Sequence, residues 1–238
     1  MKTNDEIVRT AIEYVGNPYW YGTYGQIADD VLFEAKKKQY PKQYTGGNYP
    51  ADFGKRVFDC AGLVKYCRWA RFPGDDPTYY KPQDLGAARL YSQASSIKGP
   101  IKTFDSVPGR LLFMEGSDGT MDHVGIYIGH GRAVEARNHS LGVQLTRITE
   151  RPWTHWSQCD WFTCKVPQLP ELERGDKGDD VKMMQALLLM DGFSVGEDGA
   201  DGIFGKDTEA AVKRFQKWHD LYINGIWRTG EYWELASD

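Results

Sequence analysis

The sequence predicts an α+β domain followed by a small domain built only from helices. A helix that begins near Asp59 precedes four strand candidates between residues 110 and 148, an order that is typical of α+β domains. Two prolines within residues 166–170 favour an extended linker, and helical periodicity replaces strand-like alternation after them. We therefore predict one domain over residues 1–165, a linker over residues 166–172 and a second domain over residues 173–238.

Apolar spacing and turn residues place the elements of the first domain. In its opening helix Ile7, Ala11 and Val15 recur at helical spacing, and Gly16 follows as a C-cap. The polar segment after residue 25 contains one predicted helix, over residues 28–38, and is interpreted as an inserted surface loop. Strands are predicted over residues 110–114, 123–128, 132–137 and 143–148, with a hairpin turn at residues 129–131.

Two helical runs, over residues 179–190 and 206–218, dominate the second domain. The string Asp-Gly-Ile-Phe at residues 201–204 is echoed by Asn-Gly-Ile-Trp at residues 224–227. Such a repeat of turn and helix predicts a small bundle that is built from related halves.

Composition and charge argue against several classes of function. The net charge of −4 supplies no positive field for a nucleic acid. No apolar run approaches the roughly 20 residues that a membrane-spanning helix requires, so we expect no membrane insertion. Charges interrupt the N-terminus, which predicts that a secretory signal is absent and that the chain is made in the cytoplasm. The four cysteines form no CxxC pair, which fits a reducing compartment.

Cys60 is the first candidate for a catalytic residue. It follows Asp59, a predicted N-cap, and so lies in the first turn of a helix. The helix dipole and the free amide groups favour an anion there, which lowers the pKa of a thiol, and the same amides can receive an oxyanion. Ala61 and Gly62 add little bulk, which leaves the sulfur open to a substrate. The alternative is a small buried hydrophobe, which most free cysteines are and which Cys67 is predicted to be.

His123 and Glu135 are the candidates for a base and for the group that orients it. His123 opens a strand and can serve as the base that a thiol hydrolase needs; the alternative is a histidine held by a local hydrogen bond. If a three-residue loop follows this strand, Glu135 faces Gly125 and shares a sheet face with His123, where its carboxylate orients the imidazole. A register shift of one residue would turn Glu135 to the other face, as a solvated charge or a partner of Arg137 or Arg147.

Three strings in this region resemble the NlpC/P60 family of papain-like cysteine peptidases. They are Gly-Asn-Pro-Tyr-Trp-Tyr-Gly at residues 16–22, Asp-Cys-Ala-Gly-Leu-Val at residues 59–64 and His-Val-Gly-Ile-Tyr-Ile-Gly-His-Gly at residues 123–131. Their order and spacing together are specific, whereas each string alone is not. The resemblance implies a papain-like fold in which the helix that carries the nucleophile packs on an antiparallel sheet.

The resemblance also implies roles for single residues. It makes Cys60 the nucleophile and His123 the base, and it places Tyr19 and Asp59 on the substrate-binding or oxyanion side of the thiol. The third polar residue of the family falls at Glu135, where a histidine, asparagine or glutamine is more usual. The segment between residues 25 and 59 is longer than in compact members, and we expect it to shape or cap the substrate groove.

Residues 172–235 resemble a three-helix peptidoglycan-binding domain of the type 1 family. Matching strings are Asp-Gly-Ile-Phe-Gly at residues 201–205 and Ala-Val-Lys-Arg-Phe-Gln at residues 211–216, whereas Arg228 stands where a glycine is usual. Two cell-wall modules in one chain predict a peptidoglycan hydrolase that cleaves stem peptides between D-γ-glutamate and a diamino acid. The alternatives are an N-acetylmuramoyl-L-alanine amidase and a non-catalytic wall-binding or virion component.

We expect bacterial peptidoglycan as the partner, a monomeric protein, and neither a cofactor nor a metal ion. The nearby residues His155, Cys159 and Cys164 fit no common zinc spacing. The tryptophans at positions 153, 156 and 161 are interpreted as packing residues rather than glycan contacts. Because no secretory signal is predicted, we expect a phage-type lysin that is released at lysis or carried on a virion.

Overall fold

The structure is a computed structural model that describes residues 1–104, 107–129, 131–163, 171–218 and 223–227. The chain forms two compact units, Met1–Lys165 and Val166–Asp238, and each is described by itself. Residues 166–170 of the predicted linker lie outside the described residues, as do Cys164 and residue 130 of the predicted hairpin turn.

Four helices and ten strands make up the described part of the first unit. The helices are α1 (Asn4–Glu13), α2 (Asp30–Gln39), α3 (Cys60–Trp69) and α4 (Ala87–Gln93). The strands are β1 (Lys2–Thr3), β2 (Tyr24–Ile27), β3 (Arg56–Phe58), β4 (Ile97–Pro100), β5 (Leu111–Glu115), β6 (Met121–Gly129), β7 (Arg132–Asn138), β8 (Gly142–Arg147), β9 (His155–Gln158) and β10 (Phe162–Thr163). Short 3-10 turns lie at Tyr49–Asp52, Lys81–Gln83, Ile101–Thr103 and Ile148–Glu150.

The main sheet has six strands in the order β4-β9-β5-β6-β7-β8, and its paired strands run antiparallel. The four predicted strands are β5 to β8, and their bounds differ from the predicted ones by at most two residues. β4 and β9 escaped prediction because neither shows a clear period-two pattern. β4 contains Gly99 and Pro100, residues that sheets accept mainly at an edge such as this one. The element order and the antiparallel sheet confirm the predicted α+β class.

α3 joins the sheet through one continuous hydrophobic core. Leu63, Val64 and Cys67 of α3 are buried together with Val124 and Ile126 of β6. Each aliphatic side chain buried in this way contributes about 1.5–3 kcal/mol relative to an exposed one. The core therefore fixes the N-terminus of α3 against β6, which is where the predicted nucleophile and base lie. The buried position of Cys67 confirms its interpretation as a core residue.

The inserted segment has a small core of its own. Trp20 is fully buried and packs edge-on against Tyr44 and Tyr49, and its indole Nε1 donates to Asp52 at 2.8 Å. The predicted helix is α2, Asp30–Gln39. The interpretation of the segment as a surface loop therefore needs correction, because two of its tyrosines, Tyr44 and Tyr49, are buried against Trp20, which precedes the segment.

The described part of the second unit contains two helices, α5 (Asp179–Met190) and α6 (Lys206–Trp218), as predicted. One buried glutamine in each helix holds a later turn. Gln185 Oε1 accepts the N–H of Gly202 at 2.7 Å, and Gln216 Oε1 accepts the N–H of Gly225 at 2.9 Å. Both amides also donate to the backbone carbonyl of the next residue, Ile203 and Ile226.

These equivalent contacts confirm the predicted relation between the two halves of the second unit. The third helix of the predicted bundle is absent from the described residues, and residues 228–238, Arg228 among them, lie outside them. Within the described ranges of the chain, no helix has the length and apolar character to cross a membrane.

Candidate active site

The N-terminus of α3 holds two of the predicted site residues. Asp59 is the N-cap: its Oδ1 accepts the N–H of Gly62 at 2.5 Å, and its Oδ2 accepts the N–H of Gly22 at 2.9 Å. Since both carboxylate oxygens accept from the backbone, Asp59 fixes Cys60 as the first residue of α3 and ties the helix to the segment that carries Tyr19. A contact between Asp59 and a substrate stays a prediction.

Gly62 serves close packing rather than access to the sulfur. A Cβ at this position would lie 1.8 Å from the carbonyl oxygen of Thr23, so only glycine lets the helix approach this chain segment. Gly62 and Ala61 are both buried. The expectation that these two small residues open the thiol to a substrate is therefore corrected: they allow the first turn of α3 to sit deep in the fold.

The thiol of Cys60 is half-buried, and its surroundings favour the neutral form. Burial raises the pKa of Cys60 to about 12, and the Asp59 carboxylate adds to the rise. The N–H groups of Val124, Ala61 and Cys60 itself hydrogen-bond to the sulfur and lower its pKa. The predicted lowering by the helix N-terminus is thus present but outweighed by burial. The Val124 contact also places the sulfur against β6, next in sequence to His123.

Glu135 lies opposite Gly125, as predicted, but the predicted three-residue loop is not the reason: Gly129 still belongs to β6 and pairs with Arg132 after a register shift. Ile126 of β6 pairs with Val134 of β7, and a Cβ on Gly125 would lie 3.3 Å from that of Glu135. The diagonal neighbours His123 and Glu135 therefore share a face, and His123 Nε2 lies 2.6 Å from Glu135 Oε2. A catalytic role for the pair stays a prediction, but the predicted contact between the two side chains is present.

The Glu135 side chain is fully buried and carries a full set of hydrogen bonds. Arg151 donates through Nε to Oε1 at 2.8 Å and through Nη2 to Oε2 at 3.1 Å, and Thr146 donates to Oε1 at 2.9 Å. Burial alone would favour the neutral acid. The hydrogen bonds from His123, Arg151 and Thr146 outweigh it and lower the pKa of Glu135 to about 2. The carboxylate is therefore ionised over the whole range in which a histidine titrates.

Trp153 completes the environment of the imidazole. Its ring stacks on that of His123, with 5.8 Å between the centroids and 21° between the planes. A Cβ on Gly125 would lie 2.8 Å from the Trp153 ring, so glycine at position 125 makes room for the indole as well as for Glu135. The interpretation of Trp153 as a packing residue agrees with its burial, and its packing partner is the predicted base.

Tyr19 lies near the thiol from the side of the inserted segment. Burial raises the pKa of the Tyr19 hydroxyl, and the charges of Cys60 and Asp59 act in the same direction. Tyr19 is thus a neutral phenol close to the sulfur. Its backbone carbonyl lies 3.3 Å from Nδ1 of His139, whose ring stacks on Tyr49 at 4.1 Å between centroids.

The inserted segment also supports the turn that binds Asp59. Lys36 Nζ donates to the carbonyl of Gly22 at 2.6 Å, and Tyr44 donates to the carbonyl of Tyr21 at 2.7 Å. The ring of Tyr40 lies against Gly22, where a Cβ would come within 2.3 Å of it. The insertion is therefore linked to the N-cap of α3 through Gly22.

Sequence reasoning missed two of the groups around Glu135. Arg137 and Arg147 were the expected ion-pair partners if the register had slipped, whereas the observed partner is Arg151. Thr146 was detectable: Glu135 pairs with Gln144 across β7 and β8, so a side chain two positions along β8 lies on the same face. Arg151 follows the Ile148–Glu150 turn, outside any strand, and no periodic signal marks it.

Metal ligands do not cluster in the part of the chain that the structure describes. Across these ranges, no group of three or more histidine, cysteine, aspartate or glutamate side chains is arranged to hold a metal ion. Cys60, Cys67 and Cys159 are free thiols in the structure.

Comparison with known proteins places both units. The model of the NlpC/P60 family matches residues 41–161, and a model described as a putative peptidoglycan binding domain matches residues 177–227. The murein DD-endopeptidase MepH of Escherichia coli is 29% identical over 135 residues, which cover 54% of this chain and 43% of that protein. The gamma-DL-glutamyl hydrolase of Bacillus subtilis is 26% identical over 151 residues, which cover 59% of this chain and 33% of that protein.

The chain therefore spans less than half the length of each of these curated relatives. Among solved structures, the peptidoglycan hydrolase RipB of Mycobacterium tuberculosis matches with 22% identity and a TM-score of 0.40, covering 65% of this chain and 63% of that chain. The NlpC/P60 model alone accounts for half of the sequence. The chain belongs to the NlpC/P60 family and carries a peptidoglycan binding domain after its NlpC/P60 domain.

Proposed function

We propose that this protein is a cysteine endopeptidase that hydrolyses the stem peptides of bacterial peptidoglycan. The observation that carries the proposal is the meeting of three elements. α3 brings Cys60 to β6, β6 carries His123 beside the point of contact, and β7 supplies the buried Glu135 that holds the imidazole. A thiol, a base and a group that orients the base are the parts that acyl transfer by a thiol requires.

The first step is the formation of the nucleophile. Since the pKa of Cys60 is raised to about 12, little thiolate exists at neutral pH unless a base takes the proton. His123 Nε2 is occupied by Glu135, so Nδ1 is the nitrogen that accepts the proton. The thiolate then attacks the carbonyl carbon of the scissile amide, and the carbonyl π electrons move to oxygen to give a tetrahedral oxyanion.

The oxyanion collapses when the imidazolium returns its proton to the leaving amine. The C–N bond breaks, a thioester to Cys60 remains, and the amine product departs. A water molecule then attacks the thioester with His123 as base, which yields a carboxylate product and restores the thiol. We propose that the first-turn amides of α3 stabilise the oxyanion and that Tyr19 positions the reacting carbonyl.

We propose the bond between D-γ-glutamate and the diamino acid as the site of cleavage. The name of the Bacillus subtilis relative, a gamma-DL-glutamyl hydrolase, supports this bond, and the Escherichia coli relative is named a DD-endopeptidase, which gives cross-link cleavage as a second candidate. We propose that the second unit holds the enzyme on the wall, in line with the family model that it matches. Delivery as a phage-type lysin stays a prediction.

Digestion of purified sacculi tests the proposal. Wild type is compared with Cys60→Ala and His123→Ala, and His155→Ala serves as the matched control because His155 is a partly buried histidine of the same sheet, on β9. Mass spectrometry of the soluble products identifies the bond. We expect new amino termini on the diamino acid with wild type and His155→Ala, and none with the other two variants.

Other products would redirect the assignment. Release at D-alanyl cross-links would favour the DD-endopeptidase reaction, and free lactyl ends would indicate an amidase. If wild type releases nothing soluble while Cys60→Ala still cosediments with sacculi, the protein is a wall-binding component without hydrolase activity.

A further inference from the structure

An arginine completes the contacts of the Glu135 carboxylate and is itself mostly buried, with 17% of its side chain exposed. The guanidinium of this residue, Arg151, contacts both carboxylate oxygens, through Nε at 2.8 Å and Nη2 at 3.1 Å. Oε1 is shared by Arg151 and Thr146, and Oε2 is shared by Arg151 and His123. Two partners on each oxygen match the roughly four acceptor sites of a carboxylate, so no site is left for a further donor.

We propose that Arg151 is a positioning residue of the reaction: it balances the charge of Glu135, so that Glu135 orients His123 without holding it in the protonated state. This inference rests on the proposed function, because it takes His123 as the base. It adds a residue that neither the sequence motifs nor the family models assign.

Without Arg151, His123 would meet the full negative charge of Glu135. A fully buried carboxylate 2.6 Å from an imidazole strongly favours the imidazolium form. An imidazolium has no nitrogen free to accept the proton of Cys60, so His123 could not act as the base in that state. A guanidinium on the same carboxylate offsets its charge, and because arginine stays protonated at all relevant pH values, the offset is the same across the pH range of the assay.

The loop that provides the counter-charge also holds the ring. Arg151 directly follows the Ile148–Glu150 turn, and its carbonyl accepts the N–H of Trp153 at 2.8 Å. Trp153 stacks on His123, so residues 151–153 contact the base through its face and, by way of Glu135, through its edge. One short loop thus supports both the orientation and the charge state of the imidazole.

The groups that face the pair come from every element packed around it. β6 contributes His123, β8 contributes the hydroxyl of Thr146, and the loop contributes Arg151. α3 contributes the thiol of Cys60, which lies against β6 next to the histidine. Besides His123, Arg151 is the cation of this set that acts on Glu135. Removing Arg151 therefore changes the charge around Glu135 most directly.

A double-mutant cycle tests the inference on the full chain. Wild type, Arg151→Met, Glu135→Gln and the double variant are compared by kcat/KM on a soluble stem peptide across pH 4–9. We expect Arg151→Met to lower kcat/KM by about tenfold or more at neutral pH, within the range of coupling between charged neighbours. We also expect the acidic limb of the pH profile of kcat/KM to move to higher pH in Arg151→Met, since the unbalanced Glu135 stabilises protonated His123.

The double variant gives the sharpest expectation. Glu135→Gln alone leaves Arg151 as an uncompensated cation near the imidazole, which opposes the imidazolium. With both charges removed, the amide that Glu135→Gln introduces still orients the ring. Neither an unbalanced carboxylate nor an unbalanced guanidinium then acts on the imidazole. We therefore expect the double variant to exceed Arg151→Met in kcat/KM, and its loss to be smaller than the product of the two single losses by about tenfold.

Two further variants separate charge from fold. Arg151→Lys keeps the charge but loses the two-point contact, and we expect an intermediate loss. Arg147→Met removes an exposed arginine four residues earlier and should behave as wild type. Thermal unfolding of each variant identifies any that is not folded at the assay temperature, and Arg151→Lys then takes the place of Arg151→Met.

A second readout does not depend on peptidoglycan cleavage. The rate of alkylation of Cys60 by iodoacetamide, followed at the peptide level by mass spectrometry, should show the same displacement of its pH dependence in Arg151→Met. If wild type cleaves no peptidoglycan but this displacement appears, the proposed function fails and the role of Arg151 stands. Profiles against pH that superimpose on wild type, or single losses that simply multiply in the double variant, would overturn the inference.

Discussion

The buried carboxylate of Glu135 should make the stability of the first unit depend on pH in the acidic range. Its pKa is lowered from the ordinary value of 4.5 to about 2. The unfolded chain therefore binds the proton at a higher pH than the folded protein does. Stability from the Glu135 contacts is fully present above pH 4.5 and is lost as the pH falls toward the folded-state value.

The size of the effect follows from the two pKa values. The full change corresponds to about 3 kcal/mol, of which about 2 kcal/mol should be lost between pH 5 and pH 3. A comparison with Glu135→Gln separates this carboxylate from the other acidic groups of the chain.

Urea unfolding followed by tryptophan fluorescence, at pH 5 and at pH 3, measures this loss in wild type and in Glu135→Gln. The variant is less stable at both pH values, because Arg151 loses its partner, but it should lack the additional drop of about 2 kcal/mol. Glu150→Gln is the matched control, since Glu150 is an exposed carboxylate in the turn before Arg151, and it should retain the drop. An equal drop in wild type and Glu135→Gln would refute the assigned network.

Three further predictions test the packing around the site and the second unit. Gly125→Ala should lower the free energy of unfolding by about 1–3 kcal/mol through overpacking and should also lower kcat/KM. In the same thermal unfolding and kinetic assays, Gly46→Ala should leave both quantities unchanged, because its Cβ would meet open space. Asp59→Ala should cost about 1–3 kcal/mol in urea unfolding because it removes the cap of α3, with a smaller loss for Asp59→Asn. Gln185→Ala leaves the buried N–H of Gly202 without its acceptor and should destabilise the second unit by about 1–3 kcal/mol, seen as a lower melting temperature and weaker cosedimentation with sacculi.

The parts of the site that sequence reasoning found are those with a local signal. Asp59 is an N-cap because its side chain reaches an amide only three residues ahead, and such contacts follow from residue type and position. The face that His123 and Glu135 share follows from the period of a strand, whereas their register is reached through a shift between Tyr127 and Gly129 that the predicted loop did not include. In both cases a few neighbouring residues determine the cap or the shared face, so the sequence contains enough information to predict it.

The parts that escaped prediction depend on contacts without a period. Arg151 reaches Glu135 from a loop beyond the next strand, and Arg137 and Arg147 lie nearer to Glu135 in sequence. The core of the inserted segment joins Trp20 to Tyr44 and Tyr49 across a helix and a loop. No repeat spacing connects such residues, and only the path of the folded chain brings them together.

The thiol of Cys60 shows why position in a helix is not enough to decide reactivity. A charge at a helix N-terminus gains about 0.3–1 kcal/mol, and up to about 2 kcal/mol when partly buried. The rise of the Cys60 pKa from 9.0 to about 12 corresponds to about 4 kcal/mol against the thiolate, and this is the balance that remains after the backbone amides have acted. At this helix terminus burial therefore outweighs the helix dipole and the backbone amides, and the neutral thiol is favoured.

It follows that the helix N-terminus cannot by itself generate the nucleophile. Under the proposed mechanism the sulfur becomes reactive only when His123 takes its proton, and the gain from the amides is realised when negative charge has formed on sulfur or on the substrate oxygen. A thiol that stays neutral at rest is also protected from adventitious alkylation and oxidation. The charge balance between Glu135 on β7 and Arg151 after β8 would then control the reactivity of Cys60 more than the helix that carries it.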